Sequence, residues 1–157
     1  MDSGRLFEDR ECLIVKLVAE NNTQMDIVSK DKRSEMMSNI RSTNTKPELV
    51  VRRLVYSLGY RYRLHCKDLP GKPDLVFRGK KKVIFVHGCF WHQHQGCSKA
   101  SIPKSRPDFW RLKLSKNVER DERAISSLTR LGWGVLVIWE CEINFLDLPK
   151  RILEFLE

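Results

Sequence analysis

No stretch of this chain is apolar enough to suggest a membrane span or an export signal. Its N-terminal apolar run, Cys12 to Ala19, is interrupted by Lys16 and follows Glu8, Asp9 and Glu11. Glycine and proline are sparse, at 8 and 6 among 157 residues, and there are no repeats or low-complexity tracts, which excludes fibrous and linker-like architectures. Cysteines number five, an odd count that argues against a secreted disulfide framework and for a reducing compartment such as the cytoplasm. Acidic residues are in deficit: 20 Asp+Glu face 29 Lys+Arg, and the resulting net charge of +9 is spread along the chain rather than held in a tail. A basic surplus of that kind points to a polyanionic partner, most often nucleic acid. With 41% hydrophobic residues, the length suits one domain with a real core and an appended N-terminus, residues 1–28, and nothing suggests a dimer, so a monomer is expected.

What is present is concentrated in the middle. His87-Gly88-Cys89-Phe90-Trp91-His92-Gln93-His94-Gln95-Gly96-Cys97 mixes metal-ligating side chains with aromatics in eleven residues. Cys89, His94 and Cys97 have the spacing Cys-x4-His-x2-Cys, which lets a loop wrap one ion, and Cys141 is the candidate fourth ligand. Thiolates with one imidazole in four positions indicate structural zinc. His92 is then left over, and a spare histidine beside such a cage is a candidate catalyst.

The surrounding pattern alternates helices and strands. Ser29 to Arg41 is polar and basic and reads as a short helix or ordered arm. Thr45-Lys46-Pro47-Glu48 has the form of a capping box, predicting a helix with Leu49, Val50, Leu54, Val55 and Leu58 buried and Gly59 as its stop. Tyr60 to Leu64, Pro73 to Phe77 and Lys82 to Val86 read as strands. The last two suit a hairpin pairing Phe77 with Val83 around Gly79-Lys80-Lys81, which sets Asp74 opposite Val86. From Asp108 the period is helical, with Leu114, Val118, Ile125, Leu128 and Leu131 on one face and Gly132 ending it. Gly134 to Trp139 reads as a strand buried on both faces that delivers Glu140 and Cys141. Pro149 to Leu156 is a closing amphipathic helix.

Pro73-Asp74 opening a strand is similar to the Pro-Asp element of restriction-type nucleases, although the pair also occurs as plain turn chemistry. The acid and lysine that usually follow on the next strand are missing, because positions 84 to 86 are Ile-Phe-Val. A main-chain carbonyl at Val86 can supply a hard oxygen for Mg2+, and His92 can take the base role. Asp121 shares a helix face with Val118 and Ile125 and so points inward, either to a catalytic partner or to a neighbouring arginine.

Together, Pro73-Asp74, the run from Val83 to His92, Phe109-Trp110, the run from Lys116 to Asp121 and Trp139-Glu140-Cys141 closely resemble the very-short-patch repair (Vsr) endonucleases. The resemblance runs from about Asp31 to about Ile143, which sets residues 29–157 apart as the endonuclease domain. It implies a restriction-endonuclease-like α/β fold, a mixed central sheet flanked by helices with an embedded zinc site. The implied activity is a nick on the 5′ side of the thymine in a T:G mismatch in double-stranded DNA.

By the same resemblance, Asp74 and the Val86 carbonyl bind Mg2+, His92 is the general base, Asp121 orients it, and His87 lies near the phosphate. Glu48 assists at the metal, or else serves only the capping box. His87 has a packing alternative as well. Phe90, Trp91, Trp110 and Met37 are the implied intercalating residues, which is physically reasonable because a wobble pair is easier to unstack than a matched one. The implied partners are a cytosine-C5 methyltransferase and general mismatch-repair proteins, and the implied location is the nucleoid of a bacterial cytoplasm. Gly96 is an extra residue in the zinc loop, Gln93 and Gln95 replace histidines, and Val86 replaces a threonine. Competing functions are a restriction or junction-cleaving nuclease on the same fold, and a non-catalytic zinc module that binds DNA.

Overall fold

The structure, a computed structural model, describes Ser29, Lys32 and residues 43–157. The predicted arm at 29–41 and Met37 therefore lie outside the described residues, apart from Ser29 and Lys32. Residues Arg41–Glu157 form one compact unit.

Helix α1 (Lys46–Ser57) begins at the predicted capping box: Glu48 N–H donates to Thr45 Oγ1 at 3.4 Å, and Thr45 N–H donates to Glu48 Oε2 at 3.3 Å. Strands β1 (Arg63–Leu64), β2 (Leu75–Phe77), β3 (Lys82–His87) and β4 (Gly134–Trp139) form a sheet in that order. The β1–β2 and β2–β3 pairs are antiparallel and the β3–β4 pair is parallel. Helix α2 (Pro107–Arg130) makes the crossover between β3 and β4, and helix α3 (Leu148–Leu156) closes the unit. Among the described residues no helix is long and apolar enough to cross a membrane.

Alternation along the strands feeds two cores. Leu75, Phe77, Ile84 and Ile138 pack with Val51 and Val55 of α1 and Leu148, Ile152 and Leu156 of α3. Val76, Val83 and Phe85 face the other way, against Leu128 of α2. The sheet is thus a middle layer, and by parity His87 points to the α2 side along with Phe85.

Five expectations are corrected. The hairpin register is shifted by one residue: Phe77 lies opposite Lys82 and Val76 opposite Val83, because the connection has four residues and ends on Lys81 in the left-handed region at φ 49°. Asp74 nevertheless reaches Val86, whose N–H donates to Asp74 Oδ2 at 2.7 Å. The buried face of α1 is rotated to Glu48, Val51, Arg52 and Val55, leaving Val50 44% exposed. Charged residues can occupy that face because Arg52 Nη2 pairs with Glu48 Oε1 one turn away. The first strand shrinks to two residues, since Tyr60 and Tyr62 instead set their rings edge-on to Phe77. Finally, β4 contributes Leu136 and Ile138 to one core and Val135 and Val137 to the other, but only Ile138 is fully buried, and Leu131 is exposed beyond the end of α2. Among the described residues, β4 is the last strand in the sheet order and has a neighbour on one side.

The approach to Asp74 depends on Gly71. Its φ is +73°, and a Cβ there would stand 2.6 Å from Ala124 Cβ on α2. Gly71→Ala is expected to destabilise the protein by roughly 2–4 kcal/mol, from left-handed strain plus overpacking. Urea denaturation checks this. The double variant with Ala124→Gly should recover part of the loss, because the two residues share one space.

Candidate active site

The loop after β3 folds back on itself. His92 N–H bonds to Gly88 O at 3.1 Å, His94 N–H to Cys89 O at 3.0 Å and Cys97 N–H to His94 O at 3.2 Å, while Asn117 of α2 donates to Trp91 O at 3.1 Å. These bonds gather Cys89, His94 and Cys97 on one side of the loop. The end of β4 brings Cys141 to them, so that one donor atom from each of the four lies within 4.8 Å of the others. His94 Nδ1 is 3.8 Å from Cys89 Sγ and 3.3 Å from Cys141 Sγ. Sulfur and nitrogen ligands on a tetrahedral ion with bonds of 2.0–2.3 Å stand about 3.5 Å apart, so the donor set fits. Burial and the adjacent Cys89 and Cys97 sulfurs push the Cys141 thiol up to about 12. Three sulfurs so close cannot all ionise without a cation among them.

On the opposite side of the loop, His92 Nδ1 is hydrogen-bonded to Asp121 Oδ2. Burial works to raise the Asp121 carboxyl, but the bond from His92 and the charges of His92, His87 and Arg120 outweigh it, and the group lies below its ordinary range. Asp121 is therefore an anion at neutral pH. Its second oxygen is 3.5 Å from Arg120. An ionised acceptor at Nδ1 fixes the proton there and leaves Nε2 of His92 with its lone pair free.

His87 stacks on His92, with ring centroids 3.9 Å apart and planes within 9°. Burial, then the neighbouring His92, lowers His87 to about 4, so it is neutral at physiological pH. Trp139, directly opposite His87 in the parallel register, meets it edge-on at 5.3 Å and stacks on His94 at 4.2 Å. A continuous set of rings thus links the cysteine cage to His92.

The third group is at the start of β2. Asp74 is 3.9 Å, Oδ1 to Nδ1, from His65, whose Nε2 is 3.1 Å from Glu48 Oε1. Burial is the main cause that lifts Asp74 to about 6, the Glu48 charge adding to it against the Val86 N–H bond and the charges of His65 and Arg52. A carboxylate held that high by burial beside a second one is a site a hard cation would complete. Glu48 Oε2 closes the capping box, while Oε1 faces His65 and Arg52.

Asp74, Val86, His87, His92 and Asp121 line one cleft of about 760 Å3, with Lys67, Lys72, Arg120 and Arg123 around it. Beside the cleft, Phe90, Trp91 and Trp110 form an aromatic cluster with centroids 5.0–6.1 Å apart. Lys113 Nζ lies 5.3–5.9 Å from the rings of Trp91, Phe109 and Trp110. Trp110 is 8% exposed, and Phe109 is 46% exposed. Sequence reasoning missed His65, Arg52, Asn117, Lys113 and Trp139. The one available signal was the histidine count: the chain has only four, and all of them stand here.

Comparison with known proteins gives several matches. A family model described as DNA mismatch endonuclease Vsr matches residues 25–99. The type II nicking enzyme V.XorIIP of Xanthomonas oryzae pv. oryzae is 50% identical over 133 residues, which cover 84% of this chain and 97% of that protein. The DNA mismatch endonuclease Vsr of Escherichia coli K12 is 43% identical over 119 residues, 76% of each chain. Among solved structures, the catalytic domain of the homing endonuclease I-Bth0305I aligns over 71% of this chain and 94% of its own, with a TM-score of 0.49 and 25% identity.

Proposed function

The chain belongs to the Vsr family of DNA endonucleases, and we propose that it nicks one strand of duplex DNA on the 5′ side of the thymine in a T:G mismatch, starting very-short-patch repair. The observation that carries this reading is the convergence of Asp74 with the His92–Asp121 pair on one cleft rimmed by lysine and arginine.

In this mechanism the DNA backbone enters along Lys67, Lys72, Arg120 and Arg123, whose charges neutralise phosphates. Asp74 and the Val86 carbonyl hold Mg2+, which supplies charge for the scissile phosphate oxygens. His92 Nε2 takes the proton of the attacking water, and Asp121 steadies the imidazolium through Nδ1–H. His87, neutral, packs on His92 without opposing that positive charge. Cys89, His94, Cys97 and Cys141 hold zinc, which keeps the His92 loop in shape. Phe90 and Trp91, both partly exposed, enter the base step at the mismatch, while Trp110 backs them from inside the cluster. Met37 is the proposed residue of the opposite groove. The functional partners that follow are a cytosine-C5 methyltransferase, whose product deaminates to the lesion, and general mismatch-repair proteins; action on the bacterial nucleoid follows too.

Labelled duplexes that differ only in T:G against C:G at one position, incubated with Mg2+ and with chelator, test the proposal. Nicking is expected only at T:G and only with Mg2+, with discrimination of about 10²-fold or more, as a costly unstacking step allows. Equal cutting of both duplexes refutes mismatch specificity and leaves a restriction-type nuclease. Binding without cutting leaves a zinc-containing DNA-binding module.

A further inference from the structure

His65 stands where the sequence offered no candidate. It follows β1 directly, and one ligand atom from each of Glu48, His65 and Asp74 lies within 4.8 Å of the other two. The three come from α1, the turn after β1 and the start of β2, so they are remote in sequence and meet only in the fold. Its two ring nitrogens face different groups: Nε2 is 3.1 Å from Glu48 Oε1 and 2.8 Å from Arg52 Nη2, and Nδ1 is 3.9 Å from Asp74 Oδ1.

Glu48 is 2% exposed and fully engaged, with Oε2 in the helix cap and Oε1 toward Arg52 and His65. Arg52 Nη2, 2.8 Å from His65 Nε2, can only donate, so the ring without a cation accepts there and carries its proton on Nδ1. A cation at Nδ1 would require the other tautomer, for which Glu48 Oε1 is the acceptor of Nε2–H. That proton placement leaves the Nδ1 lone pair directed to the Asp74 side, the order carboxylate, histidine, cation found where a second carboxylate orients a metal-binding imidazole. Two donors 3.9 Å apart are within the span that one small cation with bonds of about 2.1 Å can bridge.

The backbone supplies a separate observation. His65 has φ +45°, in the left-handed region that L residues rarely adopt. Strained backbone of this kind persists where the surroundings over-determine it, and functional sites are the commonest such surroundings. Here the conformation turns the ring between the two carboxylates.

We propose that His65 supplies, through Nδ1, a nitrogen ligand to the divalent cation held by Asp74, with Glu48 fixing the ring through Nε2. This rests on the reading of Asp74 as a cation ligand. An imidazole in an otherwise oxygen-donor site favours Mn2+ and Co2+ over Mg2+, since imidazole suits borderline transition ions while Mg2+ prefers oxygen. His65 is thus a determinant of which cation the site prefers.

The test titrates Mn2+ into the zinc-loaded full chain by calorimetry, followed by pulsed electron paramagnetic resonance of the bound Mn2+. His65→Asn is the variant of choice because asparagine tolerates the left-handed region, and His65→Gly, which meets that φ without strain, is the second. Zinc content and circular dichroism establish that each is folded. In the unaltered protein, bound Mn2+ is expected to show modulation from a directly coordinated 14N. Both variants are expected to lose it, with Mn2+ affinity reduced ten-fold or more and Mg2+ affinity reduced less than three-fold.

Persistence of the nitrogen signal in the variants, its absence in the unaltered protein, or unchanged Mn2+ affinity overturns the assignment. Asp74→Asn separates the two readings. If it abolishes Mn2+ binding while the His65 variants change nothing, only the nitrogen ligand falls. If the unaltered protein binds no Mn2+ beyond its zinc site, the Asp74 reading falls as well.

Discussion

Asp74→Asn is expected to abolish nicking and at the same time to make the protein more stable at pH 8. The first effect follows from loss of the anionic oxygen for the cation, on the order of 10³-fold or more in rate. The second follows from the cost of keeping this carboxylate ionised. Burial, aided by the Glu48 charge, raises Asp74 from 3.8 to about 6. Below the unfolded value both states are protonated and no cost arises. Between 3.8 and about 6 the native state retains a proton that the unfolded chain releases, so stability falls as the pH rises, and above about 6 the full cost is present. A shift of that size corresponds to about 3 kcal/mol at pH 8, shrinking to about 1 kcal/mol at pH 4.5. Asparagine still offers an oxygen to the Val86 N–H but never carries the charge.

Thermal melts in the absence of divalent cations should therefore place Asp74→Asn above the unaltered protein by about 10 °C at pH 8 and by much less at pH 4.5. Saturating Mn2+ should close the gap by stabilising only the unaltered protein. A less stable Asp74→Asn at pH 8 would show that Arg52 and His65 already compensate the charge. Retained nicking would remove Asp74 from the chemistry altogether.

The parts of the site legible in the sequence were those with local spacing. The cage spacing of Cys89, His94 and Cys97, the spare His92 beside it and the inward helix face of Asp121 each follow from a period or a loop length, and the structure brings these residues together. Asp74 reaches Val86 although the register was misjudged by one residue, because a side chain can bridge an offset that backbone pairing cannot. His65 was not legible, since no spacing relates a histidine after a two-residue strand to Glu48 and Asp74. The rotated face of α1 was hidden for a related reason: an apolar count cannot anticipate that Glu48 and Arg52 will neutralise one another and go inside. The contact of Trp139 with His87 required knowing that β3 and β4 pair in parallel with those two residues opposite.

Cys141→Ser is expected to cost both zinc and activity, and its signature is the reverse of Asp74→Asn. Cys89, His94 and Cys97 follow β3 while Cys141 follows β4, so an ion among them ties together the ends of two parallel strands. Structural zinc contributes folding free energy directly, about 10–16 kcal/mol of apparent binding energy in small zinc peptides. Cys89 is fully buried, so an emptied cage would leave donor atoms without partners in the interior. The disturbance reaches catalysis through the rings. His94 rests on Trp139, Trp139 meets His87, and His87 is stacked on His92 at 3.9 Å, so a loosened His94 frees the base to leave its position. Expected are loss of bound zinc, a melting temperature lower by about 10 °C or more, and nicking reduced by about 10²-fold or more, because small misplacements of a catalytic group are costly. Elemental analysis, thermal melts and the T:G duplex assay measure the three together. Full zinc content with unaltered melting in Cys141→Ser would exclude the fourth ligand, and full nicking after zinc loss would sever the cage from His92.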